Sequence, residues 1–265
     1  MSEIVPIILC GGIGKRLAPL STDKRPKQFI QCFSGQSSFQ NSLKRAAKIA
    51  TDYILIICHQ SHKSTAVKQA QTLNINNIKV ITEEISKNTA VAVALSLLHT
   101  SPNDRLIFLP ADHLASHTDD LLITDSFKDD ILCFGLPIRK NDPNFGYIQH
   151  KNSNVIQFIE KPRKPSIKKF IHQGDYLWNS GIYAVQHHIL KTAYEEHYPD
   201  ILNALNDKSI LQKLPSISFD KAIIEKSANL AVIESNMLWT DIGSWQSFLY
   251  NYCRYSLLGK INDSK

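Results

Sequence analysis

The sequence predicts an α/β protein built on a Rossmann-like, doubly wound mixed sheet. Three observations predict it. Short apolar runs alternate with stretches of helical periodicity through the first half of the chain, a glycine-rich turn follows the first of those runs, and the rhythm changes near residue 146 to shorter, alternating segments. The apolar runs at residues 4–9, 53–58, 78–81, 106–109 and 131–136 have the length and content of strands buried on both faces. Between them, residues 40–49, 61–73 and 88–99 carry apolar side chains at helical spacing, which makes them crossover helices linking parallel strands. Such a sheet holds its ligands in the crevice at the carboxyl ends of its strands. Gly146-Tyr-Ile-Gln, residues 155–160 and residues 181–185 read as strands of a smaller mixed or antiparallel region, and residues 248–258 as a closing helix.

With 265 residues, 43% of them hydrophobic, the chain is expected to fold as one domain over 1–265, with a lobe at 1–140 and a second lobe with the closing helix at 141–265. No repeat and no low-complexity linker divides it. No apolar stretch reaches the ~18 residues of a membrane span, and the opening residues lack a signal-peptide layout, so a cytoplasmic protein with no membrane partner is expected. The five cysteines are scattered without a CxxC pair and read as buried free thiols. A net charge of +6 asks for an anionic partner. The basic residues form no stripe interleaved with aromatics and no nucleic-acid reader motif occurs, which leaves phosphorylated small molecules. The ten histidines include His59 with His62, His113 with His117, and His187-His188, but none has metal-ligand spacing, and most are expected on the surface or on helix faces.

Gly11, Gly12 and Gly14, followed by Lys15 and Arg16, can bring backbone N–H groups against phosphate oxygens, although a plain tight turn uses glycines in the same way. A Walker loop cannot be threaded through this segment, and Leu17 occupies the third glycine position of a dinucleotide fingerprint. The strand at residues 106–109 ends in Pro110-Ala111-Asp112-His113, and a second carboxylate, Asp241, precedes Ile242-Gly243-Ser244. Two such carboxylates suit a hard cation such as Mg²⁺; a turn residue and a helix cap are the bland alternatives.

The run GGxGxRLxPLS…PKQF, from Gly11 to Phe29, resembles the signature of sugar 1-phosphate nucleotidyltransferases, and its PKQF ending resembles the mannose-1-phosphate guanylyltransferase branch. The resemblance spans residues 4–249 through six motifs in family order. It implies a sheet of the nucleotidyltransferase type, GTP and mannose 1-phosphate as partners, Mg²⁺ as cofactor, and transfer of GMP with release of pyrophosphate. Gly11, Gly12, Gly14, Lys15 and Arg16 are then expected to hold the triphosphate, and Lys27 to stabilise charge on the attacked phosphoryl group. Asp112 and Asp241 match the metal-binding carboxylates. The segment from Glu83 to Ala90 matches the nucleotide segment, with Glu83, Asn88 and Thr89 toward the nucleotide, although Asn88 also suits a helix cap. Gly146, Glu160, Lys161 and Asn179 match the positions that receive the sugar and its phosphate.

Ala18, Lys87 and Phe145 stand where the family often has Trp, Arg and Tyr, each expected near a ligand surface. The chain stops before the cupin-like isomerase module of longer relatives, so phosphomannose isomerase activity is not expected. Another sugar 1-phosphate or triphosphate, a catalytically silent sugar-nucleotide-binding regulator and, more remotely, an NAD-dependent oxidoreductase are the competing readings. Oligomeric state stays open, a homodimer among the options.

Overall fold

The architecture comes from a computed structural model that describes residues 3–12, 14–31, 35–116, 119–122, 127 and 129–262; the side chains of Lys15 and of residues 254–262, together with Cys32 and His117, lie outside the described set. The first half contains β1 (Ile4–Cys10), α1 (Ser38–Ile49), β2 (Ile54–His59), α2 (Lys63–Gln71), β3 (Ile78–Glu83), α3 (Thr89–Ser96) and β4 (Arg105–Pro110). These strands lie in the order β3-β2-β1-β4, and every pair is parallel. Side chains alternate across β1, so Val5 and Ile7 enter one apolar cluster and Ile8 and Cys10 the other. Burial on both faces is what the unbroken apolar runs anticipate. α1 begins at a reciprocal capping box between Ser37 and Gln40 and buries Phe39, Leu43, Ala46 and Ile49 along one stripe.

The second half adds β5 (His113–Ser116), β6 (Ile131–Pro137), β7 (Tyr147–Lys151), β8 (Asn154–Ile159), α4 (Lys164–Gln173), β9 (Tyr176–Gln186), α5 (His187–His197), α6 (Pro199–Ala204), α7 (Lys208–Lys213), β10 (Leu230–Glu234), β11 (Leu238–Asp241) and α8 (Trp245–Asn262). Its mixed region is not a separate sheet. It continues the first one in the order β4-β9-β6-β10-β8-β7. The long strand β9 makes the join, because its carboxyl half runs antiparallel to β4 while its amino half pairs with β7.

A second, two-stranded sheet pairs β5 with β11, setting Asp241 opposite His113. Ile242 N–H donates to the Asp112 carbonyl at 3.1 Å. Leu17, Leu114, Ile242 and Phe248 form a small buried cluster that ties the glycine turn, β5, the end of β11 and α8 together. Each of the first three lies within two residues of a candidate site residue, so the apolar side chains lock the polar neighbours into one place.

Cys10, Cys58 and Cys133 are buried free thiols, but Cys253 is exposed, which corrects the expectation for that residue. α8 turns Asn251 inward to bond Thr240, and two residues further is more than half a turn around the helix. His62 and His187 are buried rather than superficial, bonded to the Asp23 carbonyl and the Thr100 hydroxyl. Among the described residues no helix is long and apolar enough to cross a membrane.

Candidate active site

A cleft of about 720 Å³ opens at the carboxyl ends of β1, β3 and β4, where Leu9, Gly11, Gly12, Glu83, Pro110 and Asp112 form part of its wall. Arg16 reaches it from the short 3₁₀ turn Lys15–Leu17. The Gly14 carbonyl accepts from Leu17 N–H at 2.8 Å and from the Ser21 hydroxyl at 2.6 Å, which closes the turn. Gly14 has φ +80°, and a Cβ there would sit 2.8 to 2.9 Å from three carbons of the Lys27 stem. Both its conformation and its bareness are therefore required. Gln28, wholly buried, donates to the Cys10 carbonyl at 3.1 Å and fastens the Lys27 turn to the end of β1.

Lys27 forms an ion pair with Asp112 across this cleft. Burial works to raise the Asp112 carboxyl, but Lys27 and then His113 outweigh it and hold the group at about 2. His113 is kept below its ordinary value, first by burial and in spite of Asp112 and Asp241. Its Nδ1 accepts from Trp239 Nε1 at 3.2 Å, which leaves the Nε2 proton facing Asp112 Oδ1 at 3.6 Å. Asp241 ends β11 and does not cap α8. That role belongs to Ser244, whose hydroxyl accepts from Ser247 N–H at 3.2 Å while Ser247 Oγ accepts from Ser244 N–H at 3.1 Å. The glycine at 243 makes room for the Asp241 carboxylate, since a Cβ there would collide with Asp241 Oδ2.

Asp112 and Asp241 are thus neighbours, both acting electrostatically on His113. Their oxygens are the hard donors that Mg²⁺ takes, usually one or two carboxylates with the remaining positions filled by phosphates and water. Among the described residues no three His, Cys, Asp or Glu side chains group tightly enough to hold an ion by themselves. The donor set suits a cation that arrives with a phosphorylated ligand.

Glu160 and Lys161 also line the cleft. Lys161 Nζ donates to Glu160 Oε1 at 2.6 Å, and burial together with the Asp220 carboxylate pushes the Glu160 carboxyl upward. Gly146 lies beneath it, because a Cβ there would meet Glu160 Oε2 at 2.9 Å. Asn179 stands behind the wall, 7% exposed, with its amide committed to protein groups: Nδ2 donates to the Tyr183 hydroxyl at 2.7 Å and to Asp220 Oδ1 at 3.1 Å, while Oδ1 accepts from Gly181 N–H at 3.0 Å. Asp220, Tyr183, Ser216 and Ser218 line the cleft and were not singled out from the sequence. The Ser-Ile-Ser-Phe-Asp run before an apolar triplet reads locally as a helix start, and only its packing against α3 reveals another use. There, Phe219 N–H donates to the Thr89 hydroxyl at 2.8 Å.

On the β3 side, Glu83 is 7% exposed, its Oε1 has no hydrogen-bond partner, and burial lifts its carboxyl to about 7. Asn88 both lines the cleft and occupies the N-cap position of α3, its side chain accepting from Thr89 N–H at 2.8 Å. Lys87 points elsewhere. Its ammonium donates to the carbonyls of Gln212 and Leu214 at 2.6 and 2.8 Å, serving the C-terminus of α7. Ala18 and Phe145 are likewise absent from the cleft wall, Phe145 being wedged between the Trp178 and Trp239 rings at 5.1 and 5.2 Å. None of the three departures from the family pattern is part of the cleft wall.

The family model for nucleotidyl transferases matches residues 5–255. The chain belongs to that family. Among curated nucleotidyl transferase relatives, it is 28% identical to a mannose-1-phosphate guanylyltransferase of Klebsiella pneumoniae, over 92% of this chain and 59% of the relative. It is 30% identical to a mannose-1-phosphate guanylyltransferase of Escherichia coli, over 93% of this chain and 61% of the relative. The chain spans about three fifths of the length of these curated relatives. Among solved structures, one described as mannose-6-phosphate isomerase from Helicobacter pylori superposes with a TM-score of 0.80 at 28% identity, covering 90% of this chain and 100% of that one. A Thermus thermophilus structure described as mannose-1-phosphate geranyltransferase shares the fold with a TM-score of 0.83 at 24% identity, covering 95% and 79% of the two chains.

Proposed function

We propose that this chain transfers GMP from GTP to α-D-mannose 1-phosphate, giving GDP-mannose and pyrophosphate. The observation that carries the reading is the meeting of Lys27, whose stem packs on Gly14 of the glycine turn, with Asp112 at the end of β4, in a cleft also lined by Glu160 and Lys161. The glycine backbone, Arg16 and Lys27 offer contacts for phosphates, and Glu160 with Lys161 offers an acceptor for hydroxyl groups beside a cation.

The reaction is an in-line displacement. An oxygen of the sugar phosphate attacks the α-phosphorus, the bond to the bridging oxygen of the β-phosphate breaks, and pyrophosphate leaves with that electron pair. A phosphomonoester has a second pKa of about 6, so the nucleophile is already largely dianionic at neutral pH and needs no general base. The chain's own residues position and neutralise. The N–H groups about Gly11 and Gly12 and the Arg16 guanidinium hold the triphosphate, Lys27 stabilises charge at the attacked group, and Lys161 leaves Glu160 to receive the 1-phosphate. Asp112 and Asp241 would hold Mg²⁺, which when bound supplies further neutralisation of the phosphate oxygens. Glu83, which lines the cleft, is the proposed acceptor for the N1–H and exocyclic N–H of guanine.

A matrix of nucleoside triphosphates against sugar 1-phosphates, read as pyrophosphate release, tests the reading. GTP with mannose 1-phosphate should give the highest kcat/KM. A higher value for another pair would replace the substrates, and binding without turnover would replace the activity.

A further inference from the structure

Asp220 sits on the π-helical turn Asp220–Ile224, in the cleft wall near Glu160. Both of its protein hydrogen bonds fall on one oxygen: the Tyr183 hydroxyl and Asn179 Nδ2 donate to Oδ1. Tyr183 is held as a neutral phenol, its value pushed well above the ordinary one by burial and by Asp220 itself, so it remains a donor. Oδ2 has no hydrogen-bond partner among the described residues. The carboxylate is therefore fixed in direction by two buried donors, with its second oxygen left over as an acceptor.

Its surroundings decide what it accepts. Glu160 stands close enough for Asp220 to raise its carboxyl, Glu225 Oε1 accepts from Glu160 N–H at 2.7 Å, and the Lys161 ammonium sits on Glu160, so Asp220 and Glu160 present acceptors beside a cation suited to a phosphate. Arg16 and Lys27 line another part of the same cleft. A sugar 1-phosphate with its phosphate on Lys161 would turn ring hydroxyls toward the Asp220 and Glu160 carboxylates.

We propose that Asp220 is a specificity-determining residue that accepts a hydrogen bond from a ring hydroxyl of the sugar 1-phosphate, and that Tyr183 and Asn179 are the positioning residues that aim it. This rests on the proposed nucleotidyl transfer and narrows its substrate to sugars uncharged at that end of the ring. Asn179 then acts on the sugar through Asp220 rather than by touching it.

The test uses Asp220→Asn. Its amide oxygen keeps both internal donors satisfied, and the NH₂ group replaces the free acceptor, so the wall stays intact while the acceptor is lost. Kinetics are measured with mannose 1-phosphate and with its 2-, 3- and 4-deoxy analogues. KM for the sugar phosphate should rise about 10–100-fold, the value of a charge-assisted hydrogen bond, with KM for GTP and the melting temperature unchanged. One deoxy analogue should be poor for the unaltered enzyme and indifferent to the substitution, which identifies the hydroxyl. Tyr183→Phe should give a smaller rise in the same KM and weaken discrimination against the same analogue. An unchanged KM, or an equal loss with every analogue, overturns the assignment while leaving the proposed function standing. An unaltered enzyme that turns over no sugar 1-phosphate takes both down.

Discussion

Gly14→Ala isolates the geometry on which the proposed catalysis depends. The new methyl would lie 2.8 to 2.9 Å from Cβ, Cγ and Cδ of Lys27, at a residue with φ +80°. Carbon pairs rest at about 3.5–4.0 Å, so the Lys27 stem must shift by most of an ångström and draw its ammonium away from Asp112. A misplacement of that size is worth about 100-fold in rate. The left-handed backbone adds about 1–2 kcal/mol of strain, or about 2–8 °C in melting temperature for a chain of this length. Gly174→Ala is the control, because Gly174 has φ +75° with nothing within 4 Å of its added Cβ. It should lose stability alone and keep its turnover. Lys27→Ala should lower kcat about 10²–10³-fold. The double variant Gly14→Ala with Lys27→Ala should then be no more than a few-fold slower than Lys27→Ala, since no ammonium remains to displace. Initial rates of pyrophosphate release and thermal melts decide it. Multiplying losses in the double variant, or full turnover in Gly14→Ala, would refute the coupling.

Glu83 predicts a pH dependence of known sign. Its folded-state value of about 7 lies above the ordinary 4.5, so the ligand-free fold binds the extra proton and its stability falls as pH rises from 4.5 to 7. The loss is about 3 kcal/mol and should be missing from Glu83→Gln in urea melts across that range. GTP binding should run the other way in the unaltered protein, tightening as pH rises through 7 and the carboxylate forms; Glu83→Gln should bind weakly throughout, as read by calorimetry. Asp241→Asn should lower turnover by at least 100-fold with little change in melting temperature. Ser244→Ala, which removes the α8 cap, should lower stability by about 1 kcal/mol with turnover retained, and the reverse pattern would reinstate Asp241 as the cap.

What could be read from the chain alone was local. The apolar runs that became β1 to β4 and β6 alternate with helices whose spacing is visible in the sequence, because period and burial act over a few residues. The glycine turn and the strand-ending Asp112 were legible for the same reason: a strand of a doubly wound sheet delivers its next residues to the crevice. Even the meeting of Asp112 with Asp241 had a trace in the apolar Leu114 and Ile242 beside them, although their partners Leu17 and Phe248 come from other parts of the chain.

The tertiary structure alone decided where side chains with two local options were spent. Lys87 sits inside a nucleotide motif, yet its ammonium is used by the carbonyls of Gln212 and Leu214, more than 120 residues away. Asn179 is committed to Tyr183 and Asp220, and Phe145 to two tryptophans. Asp220 reaches the cleft only because the turn that carries it packs on α3 through Thr89. Pattern and propensity describe a residue's near neighbours, whereas the partner of a hydrogen-bond donor or a carboxylate is whichever distant segment the packed fold sets beside it.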